Sequence, residues 1–254
     1  MSAITIITST KNAKPDVERT LASVSEQDCT QMAHLIVDGN SQDGTLELVK
    51  DYPHCKPLHV TQQTGMGIAN AFNTGLEQSS SKLVLFLNAG DTFVSHRAVS
   101  QIVASYCQHR WWWASGETIA LSRRGWLRRH VRHRREWNRS RFLLGNPLCH
   151  QSTVYTADLI AQVGPYDEEL FLGMDYEYNI RCSFIAPPHL LNFPIAYYDT
   201  TGVSSVRVLR SFAINRRIRN RFFSLSRAQR LGLDTRMLLK SVYRLGLVPL
   251  KLVL

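Results

Sequence analysis

The chain has 254 residues, of which 44% are hydrophobic, so it can bury one substantial core and is not a disordered protein. Its five cysteines are odd in number and scattered without a CxxC pair, which argues against a disulfide framework and a structural zinc site. The formal net charge of +10 is concentrated in residues 123–141 and 205–254, so an acidic body carries two strongly basic segments.

The first third of the chain predicts alternating strands and helices. Strands are predicted to begin at Ala3, His34, Pro57 and Lys82. A helical pattern follows each of the first three, which indicates parallel βαβ units in a sheet with both faces covered. In such sheets ligands collect at the carboxyl ends of the strands, and Asp38 and Asp91 both stand at such ends.

The remaining chain continues this pattern and then changes in composition. A helix is predicted over 95–108, a strand over 111–121, a short strand and helix within 149–164, and a helix over 174–184. An Arg-rich segment interrupts the pattern after the second of these elements. Towards the C-terminus, Ile214, Ile218 and Phe222 fall at helical spacing among many arginines, which predicts a basic helix.

The sequence also bears on location. The N-terminal residues show no basic stretch followed by a long apolar run, so no signal peptide is predicted. No run of about 18 uncharged apolar residues occurs, so no membrane-spanning helix is predicted. Together with the scattered cysteines, these features favour a cytoplasmic protein.

The loop after the second predicted strand, VDGNSQDGT, carries two aspartates. Asp38 could accept a hydrogen bond from an imide N–H, which uracil, thymine and guanine offer and adenine and cytosine do not. An Asx-turn explains Asp38 equally well from the residues alone. Asp43 fits a helix cap better than a ligand, and Thr45 is the other cap candidate.

The fourth predicted strand runs into the loop Asn88, Ala89, Gly90, Asp91. Asp91 is a hard oxygen ligand suited to Mg²⁺ or Mn²⁺, which bind through one or two carboxylates plus substrate phosphates. Asn88 can add a carbonyl oxygen, and Gly90 allows the backbone to come close to a ligand. An ordinary turn that ends a buried strand is the alternative for these four residues.

Seven short motifs follow one another between Ile4 and Arg181: ITIITST, IVDGNSQDGT, GIANAFNTG, LFLNAGD, HQSTVY, VGPYDEE and MDYEYNIR. In this order they resemble the bacterial family 2 glycosyltransferases, particularly those of capsule, exopolysaccharide and lipid-linked glycan assembly. The resemblance implies a GT-A fold, which is a nucleotide-sugar-binding α/β sandwich with a mostly parallel central sheet. That fold agrees with the pattern of strands and helices.

The resemblance implies a nucleotide site and a metal site. It implies that Thr8 and Thr10 border the nucleotide pocket and that Asp38 lies beside the nucleobase. Asp91 matches the last acid of the family's DxD-type motif and would hold Mg²⁺ or Mn²⁺ at the donor diphosphate. Many relatives have Asp at the positions of Asn88 and Gly90, so this departure implies no second carboxylate ligand, and Asn88 remains a substrate contact.

The resemblance also places a catalytic base. Asp175 matches the acid of the family's ED-type motif, where a carboxylate takes the proton of the attacking acceptor hydroxyl. The first acid of that pair is Met174 here, so the role rests on Asp175. Glu177 competes, although it lies two residues further on and points elsewhere on a helix. Arg181 could pair with either carboxylate across one helical turn.

Two further motifs would border the substrates. His150 and Gln151 match the family's HQ pair near the diphosphate and acceptor, although a core role for His150 is the alternative. Gly65 and Gly67 precede a helix whose N-terminus could face phosphate. Because TGMGIANAFN is neither a Walker nor a Rossmann fingerprint, Gly67 is assigned only to a loop near the donor.

The function that the resemblance implies is an inverting, metal-dependent, hexosyl-type glycosyltransferase with a UDP, GDP or dTDP donor. The acceptor would be a hydroxyl of a saccharide or polyisoprenyl-linked glycan in cell-surface polysaccharide biosynthesis. A basic nucleic-acid-binding protein and a non-catalytic assembly partner on the same scaffold are the alternatives. No nucleic-acid recognition motif is found, so a nucleic-acid partner is not expected.

The basic segments suggest a domain division and a further partner. We expect an α/β domain over residues 1–204, with an Arg-rich insertion at 123–141, and a basic helical region over 205–254. Arginines among apolar residues at helical spacing are typical of a helix at an anionic membrane surface, so a peripheral position at the inner face of the cell membrane is predicted. The alternative is an Arg-rich helix packed on the core with a solvated outer face.

Overall fold

The computed structural model describes residues 2–121, 128–132, 136–199 and 208–244. The strands are β1 (Ile4–Thr10), β2 (Met32–Asp38), β3 (Leu58–Gln62), β4 (Leu83–Phe86), β5 (Thr92–Phe93), β6 (Trp113–Leu121), β7 (Arg128–Val131), β8 (Thr153–Thr156) and β9 (His189–Asp199). The helices are α1 (Lys14–Ser25), α2 (Thr45–Asp51), α3 (Gly67–Gln78), α4 (Ala98–His109), α5 (Ala157–Val163), α6 (Met174–Ile185), α7 (Val208–Phe222) and α8 (Arg227–Arg244). Short 3₁₀ helices cover Arg139–Leu144 and His150–Ser152.

All described strands belong to one sheet in the order β3-β2-β1-β4-β8-β6-β9-β5, with β7 paired to β6. The first four strands pair in parallel, as the βαβ pattern predicts. Strand β8 then runs antiparallel to both β4 and β6, and β9 is parallel to β6. The sheet is therefore parallel over its first half and mixed beyond, because the apolar pattern of a buried strand does not reveal the direction of its neighbour.

Strand β9 lies in a region for which the sequence predicted no element. Pro194 stands within it, and a proline inside an apolar run is usually taken as evidence against a strand. The register with β6 shifts on both sides of Glu117, the residue opposite Pro194, so a bulge accommodates the missing N–H. Gly116 lies so close to Ile195 that an added Cβ would come within 2.4 Å of its side chain, which explains the glycine.

Helices cover both faces of the sheet, as predicted. The alternation along β1 sends Ile4 and Ile6 into a cluster with α4 and Ile7 into a cluster with α3 and α6. All three isoleucines have 0% exposure. The two clusters form the core on either side of the sheet, and they leave the ends of the strands as the place for polar side chains.

The start of α2 differs from the prediction that Asp43 or Thr45 caps it. Gly44 occupies the N-cap position with φ +85°, so neither Asp43 nor Thr45 is the N-cap residue. Thr45 is the first helical residue, and the Asp43 carboxylate accepts hydrogen bonds from the backbone N–H groups of Thr45 (3.1 Å) and Lys14 (3.2 Å). Asp43 therefore joins the starts of α1 and α2.

The C-terminal helices pack on the body of the protein. Ile218 of α7 is 3% exposed and belongs to the same core cluster as Met174 of α6. The Phe222 and Phe223 rings each lie 6.3 Å from the ring of Phe184, at the other end of α6. The expected boundary between residues 204 and 205 falls outside the described residues, as do residues 123–127 and 133–135 of the Arg-rich insertion. In the part of the chain that the structure describes, no helix has the length and hydropathy needed to cross a membrane.

Candidate active site

The carboxyl ends of three parallel strands meet at one edge of the sheet. Thr10, the last residue of β1, is in register with Asp38, the last residue of β2. Strand β4 lies on the other side of β1 and leads into the loop that ends at Asp91. The two aspartates that the sequence placed at strand ends therefore share one edge, because parallel strands end on the same side of a sheet.

Asp38 is fully buried at this edge. One carboxylate oxygen accepts a hydrogen bond from the Ser41 N–H at 2.8 Å, and the other accepts one from the Ser41 hydroxyl at 2.5 Å. These bonds reach three residues along the loop, where an Asx-turn reaches two, so Asp38 has a local turn role similar to the one that the alternative describes. A carboxylate has about four lone-pair positions, so two bonds leave capacity for an imide N–H. The role of Asp38 at a nucleotide base remains a prediction.

Thr8 and Thr10 differ in what their hydroxyl groups do. The Thr8 hydroxyl donates to the Leu87 carbonyl at 2.7 Å and lies 2.9 Å from His34 Nε2, so it connects β1 to its neighbours inside the protein. Burial lowers the pKa of His34 to about 3, which leaves this imidazole neutral. The Thr10 hydroxyl is buried and has no hydrogen-bond partner among the described residues. The predicted pocket role therefore suits Thr10 better than Thr8.

Helix α1 holds the loop that carries Asp91. The Thr20 hydroxyl donates to the Asp91 carbonyl at 2.8 Å and accepts from the Gly90 N–H at 3.0 Å. Gly90 has φ +98°, a conformation that favours glycine. The Asn88 side-chain carbonyl accepts from the Ser9 hydroxyl at 2.7 Å, so Asn88 anchors the loop to β1. Asp91 is 7% exposed, so the loop holds it against the body of the protein.

The donor set around Asp91 fits a metal only when a substrate supplies ligands. In the described part of the chain, no three His, Cys, Asp or Glu side chains form a metal-binding group. Mg²⁺ and Mn²⁺ keep waters and take one or two carboxylates together with substrate phosphates. Asp91, with the oxygen of Asn88 in the same loop, fits such a shared site and does not fit a preformed protein cage.

Asp175 is the second residue of α6, which begins after Gly173 in the left-handed conformation, with φ +75°. Its side chain is half-buried, and one carboxylate oxygen accepts a hydrogen bond from Asn146 Nδ2 at 2.9 Å. The start of the helix thus presents a carboxylate that is held on one side and open on the other. This arrangement suits a base that takes a proton from a bound substrate.

Glu177 has a structural role, which separates it from Asp175. Arg181 binds Glu177 through Nε and Nη2, both at 2.9 Å, and also donates to the carbonyls of Val163 and Pro165. The Glu177 side chain is 2% exposed. Arg181 therefore pairs with Glu177 and holds the loop after α5, so Glu177 is unsuited to act as the base.

His150 lies mainly in the core. Its ring stacks on Phe72 at 4.8 Å, and Nε2 lies 3.2 Å from the Tyr166 hydroxyl. Burial lowers the pKa of His150 to about 4, against the opposing charge of Asp175, so the imidazole is neutral at pH 7. Its Nδ1 is buried and has no partner among the described residues. The core alternative explains the position of the His150 ring and the contact of Nε2, and Nδ1 is the atom that remains available to bind a ligand.

Cys149, which the sequence analysis did not single out, lies where the charges of both carboxylates reach. The pKa of its thiol is raised to about 12, mainly by burial, and the charges of Asp91 and Asp175 contribute to the increase against hydrogen bonds that lower it. The thiol donates to the side-chain oxygen of Gln151 at 3.0 Å. Asp91 and Asp175, which are 84 positions apart in the chain, therefore act on the same small region, beside the predicted residue Gln151.

The loop before α3 lies along the same side. Gly67 is the first residue of that helix, with φ +88°, and no atom lies within 4 Å of an added Cβ, so its surroundings are open. Asn70 and Asn73 of α3 donate to the Glu168 carboxylate at 3.1 and 2.7 Å. Glu168, which the sequence did not single out, thus connects the α3 loop to the segment before Asp175.

A separate cavity of about 440 Å³ lies between α4 and the start of β9. It is lined by His109, His189 and neighbouring polar residues, at the end of the sheet opposite to Asp38 and Asp91. It contains none of the predicted site residues, so the candidate site is the one at the carboxyl ends of β1, β2 and β4.

Comparisons of the sequence point in the same direction. The model of the family described as Glycosyl transferase family 2 matches residues 5–162, more than half of the chain. An uncharacterized glycosyltransferase of Mycobacterium tuberculosis is 26% identical over 213 residues, which is 80% of this chain and 78% of the relative. A PGL/p-HBAD biosynthesis glycosyltransferase of Mycobacterium bovis is 27% identical over 183 residues, or 70% and 68% of the two chains. The Escherichia coli UDP-Glc:alpha-D-GlcNAc-diphosphoundecaprenol beta-1,3-glucosyltransferase WfgD is 26% identical over 99 residues, 39% of each chain.

Solved structures share the fold. A mannosyltransferase from Pyrobaculum calidifontis in complex with GDP-Man and Mn²⁺ superposes with a TM-score of 0.67 at 16% identity, over 96% of this chain and 72% of the other. Staphylococcus aureus TarS in complex with UDP-GlcNAc superposes with a TM-score of 0.64 at 19% identity, over 96% and 73%. At these identities the likeness concerns the fold.

Proposed function

The chain belongs to glycosyl transferase family 2 and has the GT-A fold, and we propose that it is an inverting, hexosyl-type transferase with a nucleoside-diphosphate sugar as donor. The acceptor would be a hydroxyl of a saccharide or lipid-linked glycan in cell-surface polysaccharide biosynthesis. One observation carries the proposal: the segment 146–150 contacts the Asp175 carboxylate through Asn146 at 2.9 Å, and its His150 ring lies 5.0 Å from Phe86, the last residue of β4, the strand that leads to Asp91. A single displacement needs one carboxylate to hold the metal at the departing diphosphate and another to take the proton of the acceptor, and both must lie in one site.

In this mechanism Asp175 takes the proton of the acceptor hydroxyl as its oxygen attacks the anomeric carbon. The diphosphate departs from the opposite face, so one displacement inverts the configuration. Asp91, with Asn88 in the same loop, would hold Mg²⁺ or Mn²⁺, which supplies positive charge for the departing diphosphate. His150 is neutral, so it can donate or accept a hydrogen bond through Nδ1 without adding charge.

The nucleotide would lie at the ends of β1 and β2. Asp38 offers remaining acceptor capacity for an imide N–H, and the Thr10 hydroxyl is buried without a partner among the described residues. These two groups favour uracil, thymine or guanine, hence a UDP, dTDP or GDP sugar. Structural neighbours hold UDP-GlcNAc and GDP-Man with Mn²⁺, which supports a donor of this class with a divalent metal.

A thermal-shift screen of UDP-, GDP- and dTDP-sugars, with and without Mn²⁺, tests this proposal. One donor class is expected to raise the melting temperature, with a stabilisation of about 2.7 kcal/mol when its concentration is 100 times Kd. Because Asp91 supplies the protein carboxylate that binds the metal, Asp91→Asn should remove the Mn²⁺-dependent part of the rise in melting temperature. The matched control is Asp158→Asn, which changes an exposed carboxylate paired with Lys82. A response to adenine or cytosine nucleotides alone would contradict the role of Asp38.

The exposed side of the C-terminal helices supports a membrane-bound acceptor. In α8, Arg227, Leu231 and Leu238 fall on one face, and the two leucines are 71% and 44% exposed. Exposed leucines beside arginines fit an anionic membrane surface, where apolar burial and charge attraction add. A polyisoprenyl-linked acceptor would be reached at such a surface. We therefore propose peripheral binding to the inner face of the cell membrane.

Flotation with vesicles tests the membrane proposal. The protein is expected to float with vesicles rich in phosphatidylglycerol and to remain unbound with phosphatidylcholine. Leu231→Asp combined with Leu238→Asp should lower the bound fraction at least 10-fold, because about 1.5–3 kcal/mol accompanies burial of each leucine. Val60→Asp is the control, since Val60 is 39% exposed on the edge strand β3. Equal flotation of the double variant would instead support a solvated face.

A further inference from the structure

Asn146 lies beside the proposed base in a chain of hydrogen bonds that leads into the protein interior. Its Nδ2 donates to Asp175 Oδ2 at 2.9 Å, and Asn179 Nδ2 donates to its Oδ1 at 3.3 Å. The Tyr155 hydroxyl donates to Asn179 Oδ1 at 2.7 Å. We propose that Asn146 is a positioning residue for Asp175, fixing which oxygen of the base faces the acceptor. This inference rests on the proposed function of Asp175.

The orientation of the Asn146 amide follows from a backbone group. The Leu148 N–H can only donate, and it points at Asn146 Oδ1 at 3.3 Å. The amide oxygen must therefore face Leu148, so the NH₂ group faces Asp175. Asn179 then donates to the same oxygen, which leaves its own oxygen to accept from Tyr155. Every bond in the chain has a defined direction, and the last one donates to the carboxylate.

The supporting residues are rigid. Asn179 and Tyr155 each have 0% exposure. The segment that carries Asn146 is attached to α6 at a second point, where the Tyr176 hydroxyl donates to the Phe142 carbonyl. Asn146 is therefore held by contacts that do not depend on Asp175. A donor that is fixed independently of its acceptor can set the orientation of that acceptor.

The consequence concerns the reacting oxygen. Asp175 Oδ2 is engaged by Asn146, and among the described residues no hydrogen bond reaches Oδ1. In the reaction, the acceptor O–H bond breaks and its proton goes to Oδ1, while the acceptor oxygen forms its bond to the anomeric carbon. The bond from that carbon to the diphosphate oxygen breaks, and its electron pair leaves with the diphosphate. Without Asn146 the carboxylate could rotate, so fewer bound acceptors would meet an aligned base.

The variant Asn146→Asp tests this assignment with little change of shape. It keeps an oxygen for the N–H groups of Leu148 and Asn179, and it replaces the donor to Asp175 with a second carboxylate oxygen. At pH 7.5 we expect kcat to fall about 10- to 100-fold with the KM for the donor unchanged. Activity of this variant should rise as the pH falls towards 5, because a shared proton restores a donor between the two carboxylates. The melting temperature of the variant is measured over the same pH range, because a purely structural role would make activity rise only where stability rises.

Two comparisons separate failure of the inference from failure of the proposed function. Wild-type kcat and an unchanged pH profile in Asn146→Asp would overturn the positioning role while leaving the transferase intact. Absence of transfer by the wild-type protein with every donor would refute the proposed function instead. The inference is then decided by crystal structures: Asn146→Ala should show the Asp175 carboxylate in more than one orientation. A single orientation identical to that of the wild type would overturn it.

Discussion

Replacing Asp175 with asparagine is expected to abolish sugar transfer and leave donor binding intact. The substitution keeps the shape of the side chain and removes its ability to take the acceptor proton. Loss of a general base typically costs 10²- to 10⁴-fold in rate. The donor pocket at Thr10, Asp38 and Asp91 lies on other elements, so the donor-induced shift in melting temperature should be unchanged. Transfer is measured by release of the nucleoside diphosphate in the presence of an acceptor.

Two matched variants make the Asp175 result specific. Asp158→Asn removes an exposed carboxylate and should retain full transfer. Glu177→Gln should lower the melting temperature, because it breaks the buried pair with Arg181, while the folded fraction retains activity. Transfer that survives in Asp175→Asn and disappears in Glu177→Gln would exchange the two roles. If the wild type and both variants are equally inactive with a broad donor panel, the non-catalytic assembly alternative becomes the better account.

Replacing Asp234 with alanine is expected to destabilise the protein by about 3 kcal/mol. Asp234 accepts hydrogen bonds from Arg219 at 2.6 Å and from Arg216 at 2.8 Å. Arg219 has 0% exposure between α7, α8 and Tyr176, so the variant leaves a buried guanidinium without its carboxylate. Urea denaturation measures the effect as a lower midpoint. An effect below 1 kcal/mol would contradict this role.

The Arg219 partner supplies the control for Asp234. Arg219→Met places an apolar side chain of similar volume in the same space, so the double variant with Asp234→Ala should be more stable than Asp234→Ala alone. Asp158→Ala breaks the exposed pair with Lys82 and should change stability by less than about 1 kcal/mol. This contrast tests whether the C-terminal helices are held by a buried charge pair.

Several features of the site could be predicted because they depend on short stretches of chain. The apolar periodicity gave the first four strands and three helices, and the loops after β2 and β4 placed Asp38 and Asp91 at strand ends. Since parallel strands end on the same side of a sheet, the sequence also predicted that these two residues lie at one edge. Asp175 was placed at the start of a helix because the motif and the helical pattern coincide there.

Other predictions depended on which partner a side chain finds. The sequence offered Asp175 and Glu177 as partners for Arg181. In the fold Arg181 pairs with Glu177, where the last residue of α5 and the loop after it supply two carbonyl acceptors. The sequence treated Thr8 and Thr10 alike. The fold distinguishes them, because β4 brings a carbonyl and β2 a histidine to Thr8 alone.

By itself, the sequence determined the family, the order of the βαβ units and the identity of the acids at the strand ends, because these are local patterns or short motifs. Only the tertiary structure decided that β8 reverses the sheet, that Pro194 is accommodated by a bulge, and that Asn146 holds Asp175. Asn146 and Asp175 are 29 residues apart, and Asn70 and Glu168 are 98 apart. No periodicity records contacts at such separations, because they arise only when distant segments are packed against one another.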